Sequence, residues 1–335
     1  LIGVLVALNA VLIAAGAVFV SAGAAKAGAK TRIGLVFDIG GKNDQSFNSA
    51  AWRGLERAQA ELGVQVEFIE PSEGADRESA LRTLAARHVD LVIGVGFIFG
   101  PDLERLAAQF PDVNFAGVDY SPSPGVGTIP NLAGLRFREQ EGSFLVGAIA
   151  ALTSHTKVVG FVGGMQIPLI RKFEAGYVAG VHHVCPDCRV LSAYAGSEPK
   201  AFTDAPLGQE LAAAQYEKCA DVIFHAAGKT GDGVFAAARQ RGLRAIGVDS
   251  DQFASAPCCV MTSMIKRVDV AVFDIIKDTA AGKFRGGMHE LGLKEDGVGF
   301  VSDERNRFLL PIDVVQRAKQ LGEQIVAGKI AVPFE

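Results

Sequence analysis

The chain has 335 residues, a net charge of −4 and 49% hydrophobic residues. That length exceeds one typical domain and predicts two lobes, each with enough apolar material for its own core. Acidic and basic residues are mixed throughout, with no basic stripe of the kind that would mark a nucleic acid partner.

The first 24 residues carry no charge, and Leu1 to Val20 is almost wholly apolar. Ala22-Gly23-Ala24 fits the small-residue site at which export signals are cut, so 1–24 is expected to be a signal peptide. A run of that length would equally serve as a membrane anchor. Nothing later in the sequence is long and apolar enough to span a bilayer.

From residue 32, short β-rich runs alternate with helical spacing. Strands are expected at 32–38, 64–70, 90–96 and 113–119, with helices at 48–62, 76–88 and 100–109 between them. Most of these strands read as unbroken apolar runs, as strands covered on both faces do. The Pro/Gly-rich stretch 121–134 ends this series. The pattern then restarts, with strands at 157–163, 189–194, 221–226 and 244–249 and helices at 168–182, 205–217 and 232–241. Helices at 264–282 and 312–327 complete the chain. The expectation is an α/β protein of two similar lobes, each a parallel sheet with crossover helices.

Ligands of open parallel sheets bind beyond the carboxyl ends of the strands. There the first lobe places Asp38, two glycines, Asn43, Asp44, Phe47 and Asn48, then Gly96 and Phe97, then Asp119 and Tyr120. The second places Gly163, Gly164 and Met165, then Phe202 and Asp204, then Gly228, then Asp249 and Asp251. Carboxylates and amides suit hydroxyls and ring N–H groups, and aromatic faces suit a flat base or a sugar ring. Taken singly, each has a plainer use. Asp38 and Asp44 suit helix caps, Phe47 a core position, and Asp119 and Asp249 the start of a turn. Lys266 alone reads as a solvated helix residue.

No nucleophile stands beside an obvious base, and no G-x-S-x-G elbow occurs. Gly228-Lys229-Thr230 looks like the end of a phosphate-binding loop, but Ile223 stands where that loop needs its first glycine. His182, His183, Cys185 and Cys188 form a short cluster without the second ligand pair of a strong zinc motif. A local disulfide or plain thiols are the simpler expectation. With five cysteines, at least one stays unpaired. No cofactor and no metal are expected.

Five stretches, FDIGGKNDQSFN, GFVGGMQIPLIRKFEAGY, DVIFHAAGKTGDGVFAAA, IGVDSDQ and TSMIKRVD, together resemble the basic membrane protein family over about residues 32–330. These are nucleoside-binding substrate-binding proteins of ABC importers. The resemblance implies a type I periplasmic binding protein fold: two Rossmann-like lobes joined by a three-segment hinge, with the ligand between them. It assigns 32–136 plus 266–303 to lobe 1 and 137–265 plus 304–335 to lobe 2. It implies a purine base held between Phe47 and Phe202, with Asn43, Asp44 and Asn48 in the first-lobe motif and Asp119 matching an acid that bonds the base edge. Gly228, Asp249 and Lys266 then match the positions that hold the ribose, with Asp251 an alternative to Asp249 and Met165 a weaker match.

The implied partners are a purine nucleoside or nucleobase, a membrane permease and a separate ATPase subunit, with the chain itself a monomer in the periplasm or cell envelope. Members of the family usually carry a lipidated cysteine after the signal. No cysteine precedes Cys185 here, so a lipid anchor is not expected. A sugar or autoinducer receptor of the same architecture, or a nucleoside hydrolase, are the competing expectations. The missing G-x-G-x-x-G after the first strand argues against a dehydrogenase.

Overall fold

A computed structural model describes residues 30–71 and 76–335; the export segment expected at 1–24 lies outside these. The first sheet contains β1 (Arg32–Val36), β2 (Gln65–Ile69), β3 (Leu91–Val95), β4 (Asn114–Val118), β5 (Leu132–Phe137) and β11 (Gly287–Leu291). Its spatial order is β11-β5-β4-β3-β1-β2, and every neighbouring pair is parallel. The second contains β6 (Val158–Met165), β7 (Arg189–Gly196), β8 (Val222–Ala226), β9 (Arg244–Asp249), β10 (Val260–Lys266) and β12 (Val298–Phe300). Its order is β12-β10-β9-β8-β6-β7, and only the β10–β12 pair is antiparallel. Each lobe thus reverses its strand order beside its first strand, where such sheets open a crevice for ligands.

The central strands β3 (LVIGV) and β8 (VIFHA) are buried at every residue, because helices cover both sheet faces. In the first lobe, Ile33 and Leu35 face α1 (Phe47–Leu62) and α8 (Val268–Ala280), while Val36 and Val92 face α2 (Arg77–Ala86) and α3 (Gly100–Gln109). In the second, α4 (Glu139–Thr153) and α5 (Pro168–Val184) cover one face, and α6 (Ala205–Glu217) and α7 (Gly231–Arg241) the other. Helix α9 (Ile312–Val326) packs Leu321 and Ile325 against Phe144 and Leu145 of α4.

Three departures from the sequence reading have physical causes. Residues 139–153 form a helix where none was expected; 13 of its 15 residues are buried, so it carries no polar stripe to reveal its period. The helix expected at 264–282 begins only at Val268; the preceding residues are strand β10, whose Val260, Thr262 and Ile265 favour the extended chain. Lys266 and residues 298–300, placed with lobe 1, belong instead to the second sheet, where 298–300 pair with Met264–Lys266.

The chain crosses between lobes three times: after β5, after β10, and between β11 and β12. The crossings are hydrogen-bonded to one another, Arg138 N–H to Leu291 O at 3.0 Å and Arg267 N–H to Gly297 O at 2.8 Å. Cys185–Cys188 and Cys258–Cys259 are disulfides, and Cys219 is free and exposed.

Candidate functional site

The carboxyl ends of both sheets meet at one cavity, with about 650 Å³ of unfilled space that includes its opening to solvent. Asp38, Asp44, Phe47, Asn48, Phe97 and Asp119 line it from the first lobe; Phe173, Phe202, Gly228, Asp249 and Lys266 line it from the second. Asn43, Met165 and Asp251 do not. Asn43 is exposed on the turn before α1, and Met165 is buried at the end of β6. Asp251 pairs with Arg305 on the surface. Chain direction separates Asp251 from Asp249: Asp249 ends its strand at φ 63°, turning its carboxylate inward, and the chain has left the cleft two residues later.

Two of the lining groups are already engaged by the protein itself. Asp44 accepts the backbone N–H groups of Ser46, Asn48 and Ser49 at 2.9, 2.8 and 3.0 Å, which caps α1. Asn48 accepts from Asp38 N–H at 3.1 Å and donates to Asp44 at 3.1 Å, tying the end of β1 to the helix that follows.

The remaining carboxylates are arranged differently. Asp119 (φ 60°) pairs through Oδ2 with the Lys266 ammonium at 2.7 Å, while its Oδ1 is buried without a partner among the described residues. Lys266 is only 2% exposed and also reaches Glu139 at 3.1 Å. Its nitrogen sits over the rings of Phe47, Phe137 and Phe173 at 5.1, 5.1 and 5.6 Å. Burial works against that ammonium, but Asp119, Glu139 and Asp249 outweigh it and hold the lysine charged, above its ordinary range. Lys172 closes the network on Glu139 at 3.1 Å.

Asp249 Oδ2 accepts from the Ser46 hydroxyl at 2.8 Å, and Ser250 donates to Ser46 O at 2.8 Å. Arg53 donates to Ser250 at 2.9 Å, so the lobes are held together across the cleft mouth. Burial pushes Asp249 up to about 6 against the pull of Lys266 and Ser46. Burial likewise pushes Asp38 up to about 7, opposed by the Ile39 N–H and reinforced by Asp119 and Asp44. Asp119 is also raised, burial first and Glu139 adding to it, against Lys266. The Asp38 carboxylate lies against Gly96, where a Cβ would come within 2.3 Å of Oδ2 and where φ is +120°.

Asp38 and Phe97, which stand at strand ends in the sequence but match no position that the family resemblance implies for the ligand, both line the cavity. Glu139 and Phe173 gave no signal, because a helix residue facing a cleft has the same spacing as one facing a core. Phe97 and Phe202 meet edge to face across the lobes, centroids 6.4 Å apart at 61°. The cavity therefore combines aromatic faces from both lobes, carboxylate acceptors at the ends of facing strands, and one fixed ammonium. No group of three or more His, Cys, Asp or Glu suited to a metal occurs among the described residues.

Residues 30–335 match the family model for PnrA-like ABC transporter substrate-binding proteins. The chain is 36% identical over 323 residues to a CD4+ T-cell-stimulating antigen of Listeria innocua, covering 90% of this chain and 87% of the relative. It is 34% identical over 309 residues to basic membrane protein A of Borreliella burgdorferi, again covering 90% and 87%. Among solved structures, an ABC transporter solute-binding protein of Aeropyrum pernix K1 superposes with a TM-score of 0.81 and 32% identity, over 91% of this chain and 94% of that one.

Proposed function

We propose that this chain, which belongs to the PnrA-like family of ABC transporter substrate-binding proteins, binds a purine nucleoside or its base and delivers it to a membrane permease. Proteins of this family act outside the cytoplasm, and their importers comprise a permease and an ATPase. The observation that carries the nucleoside reading is that Phe47 and Phe202, from opposite lobes, line one cavity whose polar lining is chiefly carboxylate. A flat heterocycle with N–H and O–H donors satisfies both features. Each ring contributes about 0.5–1.5 kcal/mol of stacking beyond the area it buries.

In this reading Asp119 Oδ1 accepts from the base edge, and Asp249 and Lys266 engage the ribose. A ligand lacking one of those hydroxyls leaves a buried group unpaired, at a cost of about 1–3 kcal/mol. The lobes hinge shut on the ligand and present a joined surface to the permease, with the chain working as a monomer and catalysing nothing. Calorimetry of ligand-stripped protein against nucleosides, free bases and sugars tests this. Nucleoside binding with no sugar binding supports it, and binding of a pyranose alone replaces it with a sugar receptor. Release of free base from inosine would make the protein a hydrolase.

A further inference from the structure

We propose that Thr230 and Gly164 are positioning residues for the Phe202 ring and thereby set the width of the slot into which the ligand slides. This rests on the reading of Phe202 as one jaw of the cleft.

After β7 the chain makes a 3₁₀ turn, Pro199–Phe202. Thr230, fully buried, holds that turn from both sides. Its hydroxyl donates to Ala201 O at 2.8 Å and accepts from Asp204 N–H at 2.8 Å. These two bonds bracket Phe202 in the sequence, so the backbone that aims the ring has its register fixed by one oxygen. Only a hydroxyl fills both roles at once in so small a volume. Thr230 ends the Gly-Lys-Thr stretch that looks like a phosphate loop; here its hydroxyl is committed to the neighbouring backbone.

Gly164 forms the back of the seat. A Cβ there would stand 2.2 Å from Phe202 Cε1, 2.4 Å from Cδ1 and 2.9 Å from Cζ. Gly164 lies inside strand β6, so space rather than backbone conformation calls for glycine. The ring rests on the strand's Cα and has no room to retreat; anything added behind it drives it into the cleft. Across the slot, Phe97 of the first lobe already touches its edge.

The test uses Thr230→Val, Thr230→Ser and Gly164→Ala in the full chain. Binding of inosine is followed by calorimetry, melting temperature is measured as a control, and crystal structures locate the ring. Thr230→Val, which keeps the shape and loses both bonds, is expected to weaken binding about tenfold, the upper end of what one aromatic stack contributes. Thr230→Ser restores affinity, which a purely volumetric role for Thr230 would not allow. Gly164→Ala weakens binding similarly, with the ring displaced toward the first lobe.

Unchanged affinity in both Thr230→Val and Gly164→Ala overturns the proposal, as does a Gly164→Ala structure with Phe202 in its original place. If Thr230→Val does not fold, Gly164→Ala alone decides. If the unaltered protein binds no nucleoside, the nucleoside reading fails. The seat is then judged on ring position in the variant crystals, where an unmoved ring refutes it.

Discussion

The two lobes share a scaffold and differ in what they place on it. Each sheet runs in the same order, and in each the third strand of that order leads to an aspartate with left-handed backbone, Asp119 at φ 60° and Asp249 at φ 63°. Aspartate tolerates that conformation better than most side chains, and such strain gathers at functional sites. Each acid is gripped from the other side of the cleft, Asp249 by Ser46 and Asp119 by Lys266 at the end of β10.

The rings break the symmetry. In lobe 1 the cavity-lining Phe47 opens the helix after the first strand; in lobe 2 that helix opens with Pro168-Leu169-Ile170, and the cavity-lining Phe202 follows the next strand instead. A duplicated backbone therefore supplies equivalent acid positions, while the aromatic contacts come from different loops. The two sides of the cleft consequently present different chemistry to whatever enters it.

That comparison can be broken most severely at Lys266. Lys266→Met leaves Asp119 and Glu139 buried without their shared cation, and is expected to lower stability by about 3–5 kcal/mol in urea denaturation and to abolish binding. A smaller loss would mean that the cleft hydrates readily. Asp249→Ala is expected next, weakening nucleoside binding at least about tenfold with the fold retained, because a hydroxyl partner and the Ser46 contact go together. Phe202→Ala and Phe47→Ala should each lower affinity by about tenfold. Equal losses would mean that the two jaws contribute alike despite their different loops.

Asp38→Asn sharpens the electrostatic side. With its carboxyl raised from 3.8 to about 7, the folded protein binds a proton more tightly at this site than the unfolded chain does. Stability from this group is full below about pH 4 and is lost as pH rises toward 7. The melting temperature of ligand-free protein should therefore fall over that window, and Asp38→Asn should flatten the fall; an unchanged slope would assign it to other groups. Asp251→Ala is the smallest expected effect. It removes an exposed ion pair with Arg305, so stability should move by less than about 1 kcal/mol and affinity not at all.

The repeated βα pattern was legible in the sequence because central strands buried on both faces leave unbroken apolar runs, and because polar residues and glycines mark where those runs stop. Helix α4 was hidden by the same physics, since a helix buried all round has no stripe. Strand β12 is three residues long and pairs antiparallel at a sheet edge, a partnership that depends on where β10 lies.

Sequence by itself determined the alternation of elements, the presence of two similar lobes and the kinds of residue standing at the strand ends. Local propensity and hydrophobic period carry that much along a chain. Only the tertiary structure decided which of those residues share a cavity. It separated Asp249, held by Ser46 across the cleft, from Asp251, and it brought Glu139 to Lys266. Those choices depend on contacts between groups more than a hundred residues apart, for which the chain carries no local mark.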